Sequence, residues 1–357
     1  MAAAISRSAA SEALHRREYF FVGGEYVNTT TGTLRQNQMY VEKLTPAANS
    51  SQPYPLILFH GGSQDGTNWL NKPDGGVGWA SWFLDNGYEV YIVDEPSRGR
   101  SAWNAAAGFP TTTFSVEVIT SRFTATLNST AWQQAKLHTQ WPGSGVPGDP
   151  VFDTYYASVV QGIANNTEQE QAVREAGIAL LDHVGPAVVV THSQGGPYGW
   201  SLADARPSLV RALIQIEPKG PPFREEIFSS DYTRPWGLTS IPLTYDPVPT
   251  NQSAPLSMHL VPSDSANLTD CILQAEPIRQ LPNLAKVPIL VETGEASYHA
   301  AYDHCTVAFL RQAGVQVEHL ELGKAGIHGN GHMQFMELNS DEIVTKLHAW
   351  ILTSIQG

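Results

Sequence analysis

Residues 187–200, AVVVTHSQGGPYGW, constrain the fold of this chain more than any other segment. Their first four positions form a short, mostly β-branched apolar run, which is typical of a strand buried on both faces of a parallel sheet. Ser193 follows, and the small residues Gly195 and Gly196 favour a sharp turn into a helix that packs close to the strand. The segment therefore predicts a nucleophile elbow, a strained turn that presents a serine hydroxyl above a sheet.

The pattern around Ser193 departs from the usual G-x-S-x-G at one position, because Thr191 replaces the first glycine. A serine and a glycine at this spacing also occur in many ordinary surface turns. The apolar strand before the turn, and the motifs elsewhere in the chain, favour the elbow.

Apolar runs and helical patterns alternate along much of the chain. We expect further strands at residues 55–62, 88–96, 212–218, 287–295 and 315–322, and helices at residues 78–86, 167–184, 302–313 and 341–354. The helix before the elbow should begin with a capping box formed by Thr167 and Glu170. This alternation predicts an α/β fold with a doubly wound, mostly parallel sheet.

The length of 357 residues suits one large domain with insertions. We expect a flexible N-terminal arm at residues 1–17 and a single domain at 18–357. Two alternating runs within residues 18–45 predict an antiparallel strand pair at a sheet edge. Residues 102–160 and 220–283 lack clear periodicity and are predicted to be cap insertions.

The chain is acidic, with 34 Asp and Glu against 21 Lys and Arg and a net charge of −13. Such a charge repels nucleic acids and anionic membrane surfaces, so we expect a neutral substrate and no nucleic-acid partner. No apolar run approaches the length that spans a bilayer.

The location of the protein stays open at this point. The N-terminal sequence has no continuous apolar run of the kind found in secretory signals, which favours a cytoplasmic protein. Six N-x-S/T sites, which are glycosylated only in secreted chains, instead favour a secreted glycoprotein whose signal was trimmed. These sites are Asn28, Asn49, Asn128, Asn165, Asn251 and Asn267. Cys271 and Cys305 form one disulfide or remain two thiols, and they lack the spacing of zinc ligands.

A serine nucleophile needs a histidine base, and the base needs a carboxylate that fixes its tautomer. On a sheet of this kind the chain order is serine, acid, histidine. The segment GIHGNGHMQF after the last strand offers His328 and His332. Its glycine-rich loop favours His332 as the base, with His328 in a supporting role.

Two acids compete for the third position. Glu217 and Glu295 each follow a strand after the elbow, and parallel strands bring their carboxyl ends to one crevice. The common arrangement favours Glu295, or Asp303 a little later, and the choice stays open on these grounds. The oxyanion hole should consist of the backbone N–H groups of Gly62 and Gln194.

Several segments resemble a small group of bacterial and fungal α/β-hydrolase serine esterases. They are HGGSQDGTNWLNKPDGGVGW, WFLDNGYEVYIVDEPSRGRSA, THSQGG, IEPKG and GIHGNGHM. The resemblance implies an α/β-hydrolase fold and maps the nucleophile onto Ser193, the acid onto Glu217 and the base onto His332. It also implies structural roles for Arg98 and Arg100.

The histidines next to these residues, His60 and His192, should support the turns by hydrogen bonds. We therefore predict a serine hydrolase that cleaves a carboxylic ester or lactone of a small molecule through an acyl-enzyme and needs no cofactor. Aromatic residues of the insertions favour an apolar or aromatic substrate. They are Trp103, Phe109, Phe114, Trp132, Trp141, Tyr155, Tyr156, Trp236 and Tyr245. A lyase or isomerase with the same triad, or a silent binding protein, remains the alternative, and the oligomeric state stays open.

Overall fold

A computed structural model describes residues 11–107 and 109–355 of the chain. Its main feature is an eight-stranded sheet in the order β1-β2-β4-β3-β7-β8-β11-β12. The strands of this sheet are β1 (His15–Thr29), β2 (Gly32–Pro46), β3 (Leu56–Phe59), β4 (Val90–Asp94), β7 (Ala187–His192), β8 (Val210–Ile216), β11 (Ile289–Thr293) and β12 (Val317–Glu321). Two small antiparallel pairs are formed by β5 (Thr111–Thr112) with β6 (Gly162–Ile163) and by β9 (Met258–Val261) with β10 (Cys271–Gln274).

The six strands from β4 to β12 in the main sheet are parallel, whereas β1 and β2 form an antiparallel pair at one edge. The predicted α/β class, the mostly parallel sheet and the edge pair are therefore confirmed. β1 begins at His15, inside the segment predicted as an N-terminal arm. Residues 1–10 of that predicted arm lie outside the described residues.

Helices cover both faces of the sheet. They are α1 (Trp79–Asp85), α2 (Val116–Ile119), α3 (Pro150–Ala157), α4 (Asn166–Val184), α5 (Gly195–Ala205), α6 (Asp303–Gln312) and α7 (Ser340–Ser354). Apolar residues of α4, α5 and α6 share one buried cluster with one face of the sheet, and those of α1 and α7 share another cluster with the opposite face. Every residue of β7 is buried, as expected for a strand covered on both sides.

The cap of α4 differs from the prediction. Asn165 is the N-cap, and its side-chain oxygen accepts hydrogen bonds from the backbone N–H groups of Thr167 at 2.9 Å and Glu168 at 3.3 Å. Glu170 instead turns away from the helix end and accepts from the N–H and hydroxyl of Ser240 at 2.7 and 2.8 Å. The capping box of Thr167 and Glu170 was therefore wrong, because Asn165 is an equally good N-cap two residues earlier.

Two long connections contain short elements only. The first lies between β4 and α4 and includes α2, α3, β5 and β6, and the second lies between β8 and β11 and includes β9 and β10. A disulfide joins Cys271 of β10 to Cys305 of α6, which attaches the second connection to the helical layer. Within residues 11–107 and 109–355, no helix is long and apolar enough to cross a membrane.

Candidate active site

The turn between β7 and α5 has the backbone geometry of a nucleophile elbow. Ser193 adopts a φ of 54°, in the left-handed region that a residue with a side chain rarely enters. Its N–H donates to the carbonyl of Ile216 at 3.0 Å, and its carbonyl accepts from the N–H of Lys219 at 2.7 Å. Both partners belong to the chain at the end of β8, which therefore holds the strained turn in place.

Close packing of α5 explains why small residues follow the serine. A Cβ atom on Gly196 would lie 2.5 Å from Cβ and 2.7 Å from Cα of Pro218, so any side chain there would push the helix off the segment after β8. A Cβ atom on Gly199 would lie 2.4 Å from Nε2 of Gln215 and 3.0 Å from both Cδ1 of Leu213 and Cγ2 of Thr191. The helix therefore packs closely on β7 and β8 at this glycine, and Thr191 is one of the three side chains that it faces.

Glu217 and His332 meet beneath this turn. His332 Nδ1 lies 2.5 Å from Oε2 of Glu217, and both side chains are buried. The carboxylate also accepts from the Ser297 hydroxyl at 2.7 Å and from the Gly294 N–H at 2.8 Å. Glu217 itself has a φ of 45°. Its strained backbone and three donors fix the carboxylate against one nitrogen of the imidazole.

Burial governs the protonation of this pair. It lowers the pKa of His332 well below the usual value, and the nearby rings of His192 and His299 lower this pKa further. Burial raises the pKa of Glu217, as do the Glu292 and Asp303 carboxyl groups, whereas hydrogen bonds from Ser297 and Gly294 oppose the rise. His332 is therefore neutral near pH 7, which is the form that a general base requires.

The other ring nitrogen of His332 faces aromatic residues of the site. Its Nε2 lies 3.3 Å from the Tyr298 hydroxyl, and Phe123 stacks on the ring with a centroid distance of 5.1 Å. Among the residues that the structure describes, the Ser193 hydroxyl makes no hydrogen bond. In enzymes without substrate, catalytic hydrogen bonds are often long and tighten only in the complex.

Comparison with known proteins identifies the family of this chain. A bacterial esterase whose structure is known at atomic resolution superposes with a TM-score of 0.65 at 21% identity, covering 99% of this chain and 100% of that protein. No protein-family model matches the chain. A relative named "Probable secreted lipase phiG", from Fungal sp. (strain ATCC 74256), is 46% identical over 333 residues, which cover 93% of this chain and 88% of the relative.

The chain belongs to the α/β-hydrolase family of esterases and lipases. It is a carboxylic ester hydrolase, and the predictions of its fold and enzyme class are confirmed. The resemblance to α/β-hydrolase esterases inferred from its sequence motifs is confirmed as well.

The residues predicted for the oxyanion hole of this esterase are joined by a buried arginine. Arg98 donates from Nη1 to the carbonyl of Gly61 at 3.0 Å and from Nη2 to Oε1 of Gln194 at 2.6 Å. In a trans peptide the carbonyl and the N–H point in opposite directions, so Arg98 orients and polarises the peptide that carries the Gly62 N–H. Arg98, for which a structural role was predicted, therefore contacts both the Gln194 side chain and the peptide that carries the Gly62 N–H.

The other arginine of that segment lies in a separate ion-pair network. Arg100 pairs with Asp94 at 2.8 Å and with Glu42, and its guanidinium stacks 4.1 Å from the ring centroid of Tyr40. The neighbouring histidine His60 is held by the carbonyl of Gly61 at 3.0 Å. The contacts of Arg100 join the segment after β4 to β2 and to the end of β4. His60 joins the loop after β3 to the same segment, because its Nε2 accepts from the N–H of Glu95 at 3.2 Å.

The second candidate acid is not part of the pair. Glu295 accepts from Nδ1 of His328 and from the N–H of Gly329, both at 2.9 Å, and so supports the loop that precedes His332. Asp303 accepts from Nδ1 of His299 at 2.9 Å. The structure brings Glu217 to His332 and leaves Glu295 and Asp303 with other histidines.

A cavity of about 310 Å³ opens beside Ser193. Gly62, Gln194, Tyr298 and His299 are among the residues that line it. Of the nine aromatic residues named from the sequence, Phe114 alone lines this cavity, while Phe228, Tyr298 and Tyr302 were not anticipated. Ser297, Phe123 and Tyr298 fall in segments without periodicity, so no pattern in the sequence pointed to them.

Three side chains of the site have the donor types of a metal centre. The ligand atoms of Glu217, His299 and His332 lie within 4.8 Å of one another. However, Nδ1 of His299 faces Asp303 at 2.9 Å, and its Nε2 faces the Tyr302 hydroxyl at 3.1 Å. Because Nδ1 of His332 faces Glu217, the cluster is a hydrogen-bonded network in which one imidazole nitrogen remains for proton transfer.

Proposed function

We propose that the protein hydrolyses a carboxylic ester or lactone of a small molecule through an acyl-enzyme on Ser193. The contact of His332 Nδ1 with Glu217, below a strained serine turn and beside a cavity, carries this proposal. A buried neutral imidazole with one nitrogen held by a carboxylate is the base that a serine hydroxyl needs.

In the proposed mechanism, the Ser193 oxygen attacks the carbonyl carbon while His332 Nε2 accepts the hydroxyl proton. Glu217 keeps the proton on Nδ1 and stabilises the imidazolium that forms. The N–H groups of Gly62 and Gln194 stabilise the negative charge on the carbonyl oxygen. His332 then protonates the leaving alkoxide, and a water molecule, activated by the same imidazole, releases the acid from Ser193.

The walls of the cavity support an apolar or aromatic group next to the scissile bond. Phe114 lies beside the position that a Cβ atom on Gly62 would occupy, 3.5 Å away. Phe228 packs against Tyr298 with ring centroids 5.0 Å apart. Aromatic walls at these positions exclude water and offer an apolar contact surface to an acyl or alcohol group.

The test is hydrolysis of p-nitrophenyl esters of increasing chain length, with Ser193→Ala as the matched variant. We expect wild-type turnover, labelling of Ser193 by an organophosphonate, and a loss of turnover on the order of 10⁴-fold or more in the variant. Labelling without ester hydrolysis would favour a lyase or isomerase. Appreciable hydrolysis by Ser193→Ala would refute the elbow.

We further propose that the protein is secreted and glycosylated. All six asparagines of the N-x-S/T sites are exposed. The Cys271–Cys305 disulfide requires an oxidising compartment to persist, and the fungal relative is named a secreted lipase. Protein expressed in a fungal host should appear in the medium and lose mass on endoglycosidase treatment, whereas intracellular, unmodified protein would contradict the proposal.

A further inference from the structure

Arg122 projects a positive charge into the cavity from an unusual turn of helix. Residues Thr120–Thr124 continue α2 as a π-helix, in which the N–H of Ala125 donates to the carbonyl of Thr120 at 2.9 Å. Such turns occur frequently at functional sites. Here the turn brings two successive residues to the site, since Phe123 stacks on His332 while Arg122 lines the cavity.

Aromatic rings fix the position of this guanidinium. The Arg122 guanidinium carbon lies 3.9 Å from the ring centroid of Phe228, and Phe228 packs in turn on Tyr298. The Tyr298 hydroxyl reaches His332 Nε2 at 3.3 Å. Two rings therefore separate the cation from the base, and the stacking leaves the edge of the guanidinium free to donate hydrogen bonds.

The other charged side chains of the cavity all have partners of opposite charge. Arg98 lies 3.5 Å from Glu95, and Lys219 lies 3.5 Å from Glu225. Glu225 also pairs with Arg234 at 2.7 Å, and Glu226 pairs with Arg224. Within the described part of the chain, the Arg122 side chain has neither an ion pair nor a hydrogen bond.

We propose that the substrate carries a carboxylate, and that Arg122 binds this group while Ser193 attacks the ester at the other end of the ligand. This inference rests on the proposed ester hydrolysis and names its substrate class. A planar guanidinium with free N–H groups matches the two oxygens of a carboxylate. The two intervening rings place the carboxylate several bonds from the ester carbonyl, with an apolar stretch between them.

This inference replaces the expectation of a neutral substrate. That expectation followed from the net charge of −13, which describes the whole surface of the protein. The charge of the cavity differs from that of the whole surface. Its two glutamates are neutralised by basic partners, whereas Arg122 has no acidic partner among the described residues. A long-range repulsion between protein and ligand is screened by salt within about 10 Å, whereas a direct ion pair at the site is screened less.

The experiment compares two esters of equal chain length, p-nitrophenyl hexanoate and the mono-p-nitrophenyl ester of adipic acid. The readout is the ratio of their kcat/KM values, which a general loss of folding or activity would not change. We expect the wild type to favour the adipate ester by about tenfold at low salt. Arg122→Gln should abolish this preference, Arg122→Lys should retain part of it, and Arg122→Glu should reverse it.

The matched control is Arg35→Gln on β2. Arg35 also stacks on an aromatic ring, at 5.2 Å from the centroid of Tyr26, but it lies in the edge pair of strands and should leave the ratio unchanged. A wild type without preference for the adipate ester, or an equal ratio in wild type and Arg122→Gln, would overturn this inference alone. If neither ester is hydrolysed and Ser193 resists phosphonate labelling, both the proposed function and this inference are refuted.

Discussion

Glu217 and Glu295 follow neighbouring strands of the same sheet, yet they contact different histidines. Glu217 lies 2.5 Å from Nδ1 of His332, whereas Glu295 holds His328 and the Gly329 N–H. Glu217 directly follows β8 and has a positive φ of 45°, whereas Glu295 lies two residues beyond the end of β11. One carboxylate can therefore orient the base directly, while the other acts only through the loop before it.

This difference predicts unequal effects of the two amide variants. Glu217→Gln should lower kcat by a factor on the order of 10⁴ with little change in KM, because the amide stabilises the wrong tautomer of the base. Glu295→Gln should cost less than about tenfold, which makes the gap on the order of 4 kcal/mol in barrier height. Steady-state kinetics on one p-nitrophenyl ester measures both. The opposite ranking would assign the acid to Glu295, and large losses in both would indicate a shared network.

Arg98 offers a second test at the level of single residues. It touches the Gly61 carbonyl and the Gln194 side chain, so its removal should disorder both predicted oxyanion donors. Loss of one direct donor costs about 10²- to 10³-fold in kcat. Because Arg98 acts through these residues, Arg98→Gln should lower kcat by about ten- to a hundredfold and leave KM nearly unchanged.

The specific readout for Arg98 is the affinity for a trifluoromethyl ketone, which forms a tetrahedral oxyanion on the serine. This affinity should fall by the same factor as kcat, and Arg98→Lys should restore part of both. A purely structural arginine would instead lower the amount of folded protein and weaken the binding of substrate and inhibitor alike.

At the level of elements, the contact between α5 and the segment after β8 packs the turn of the proposed nucleophile, Ser193, against the segment of the proposed acid, Glu217. Gly196 in α5 touches Pro218, which directly follows Glu217. Gly196→Ala should therefore displace the segments of Ser193 and Glu217 and destabilise the fold by about 1 to 3 kcal/mol, as overpacking does. The free energy of unfolding, measured by chemical denaturation, and kcat, measured on the same preparation, should both fall.

A second glycine provides the control for this prediction. For a Cβ atom on Gly177 of α4, the three nearest atoms all belong to the Leu202 side chain, with Cδ2 at 2.8 Å. Since a leucine methyl group can move and alanine favours a helix, Gly177→Ala should keep kcat and lose little stability. Equal effects of the two variants would mean that the packing of α5 does not position Glu217.

The elements themselves were largely predictable, and the reason is physical. Strands such as β7 and β11 begin with runs of three or more apolar residues and are buried on both faces, so these runs separate them from the amphipathic helices around them. The cap of α4 was missed because two good caps lie two residues apart. Arg122, Phe123 and Tyr298 come from irregular segments whose place over the sheet depends on tertiary packing, and no local pattern encodes it.

For the whole molecule, the disulfide links a connection without long elements to the helical layer. Cys271 and Cys305 are 34 residues apart in the chain. In the chain-entropy view, closing a loop of this length stabilises the folded state by about 3 to 4 kcal/mol. Thiol labelling under denaturing, non-reducing conditions should find no free thiol, and reductant should lower the free energy of unfolding by about this amount.

The double variant Cys271→Ser/Cys305→Ser is the control for that measurement. Its free energy of unfolding should be lower than that of the oxidised wild type and should not respond to reductant. Two labelled thiols in the wild type would contradict the disulfide and weaken the case for secretion.

Gly199, one turn into α5, shows which positions of the elbow can change independently over evolutionary time. A Cβ atom there would lie 2.4 Å from Nε2 of Gln215 and 3.0 Å from both Cδ1 of Leu213 and Cγ2 of Thr191. Replacing Thr191 by the usual glycine would remove only the last of these three contacts, so position 199 would still exclude a side chain. An exchange between glycine and threonine at 191 therefore needs no compensating change at 199.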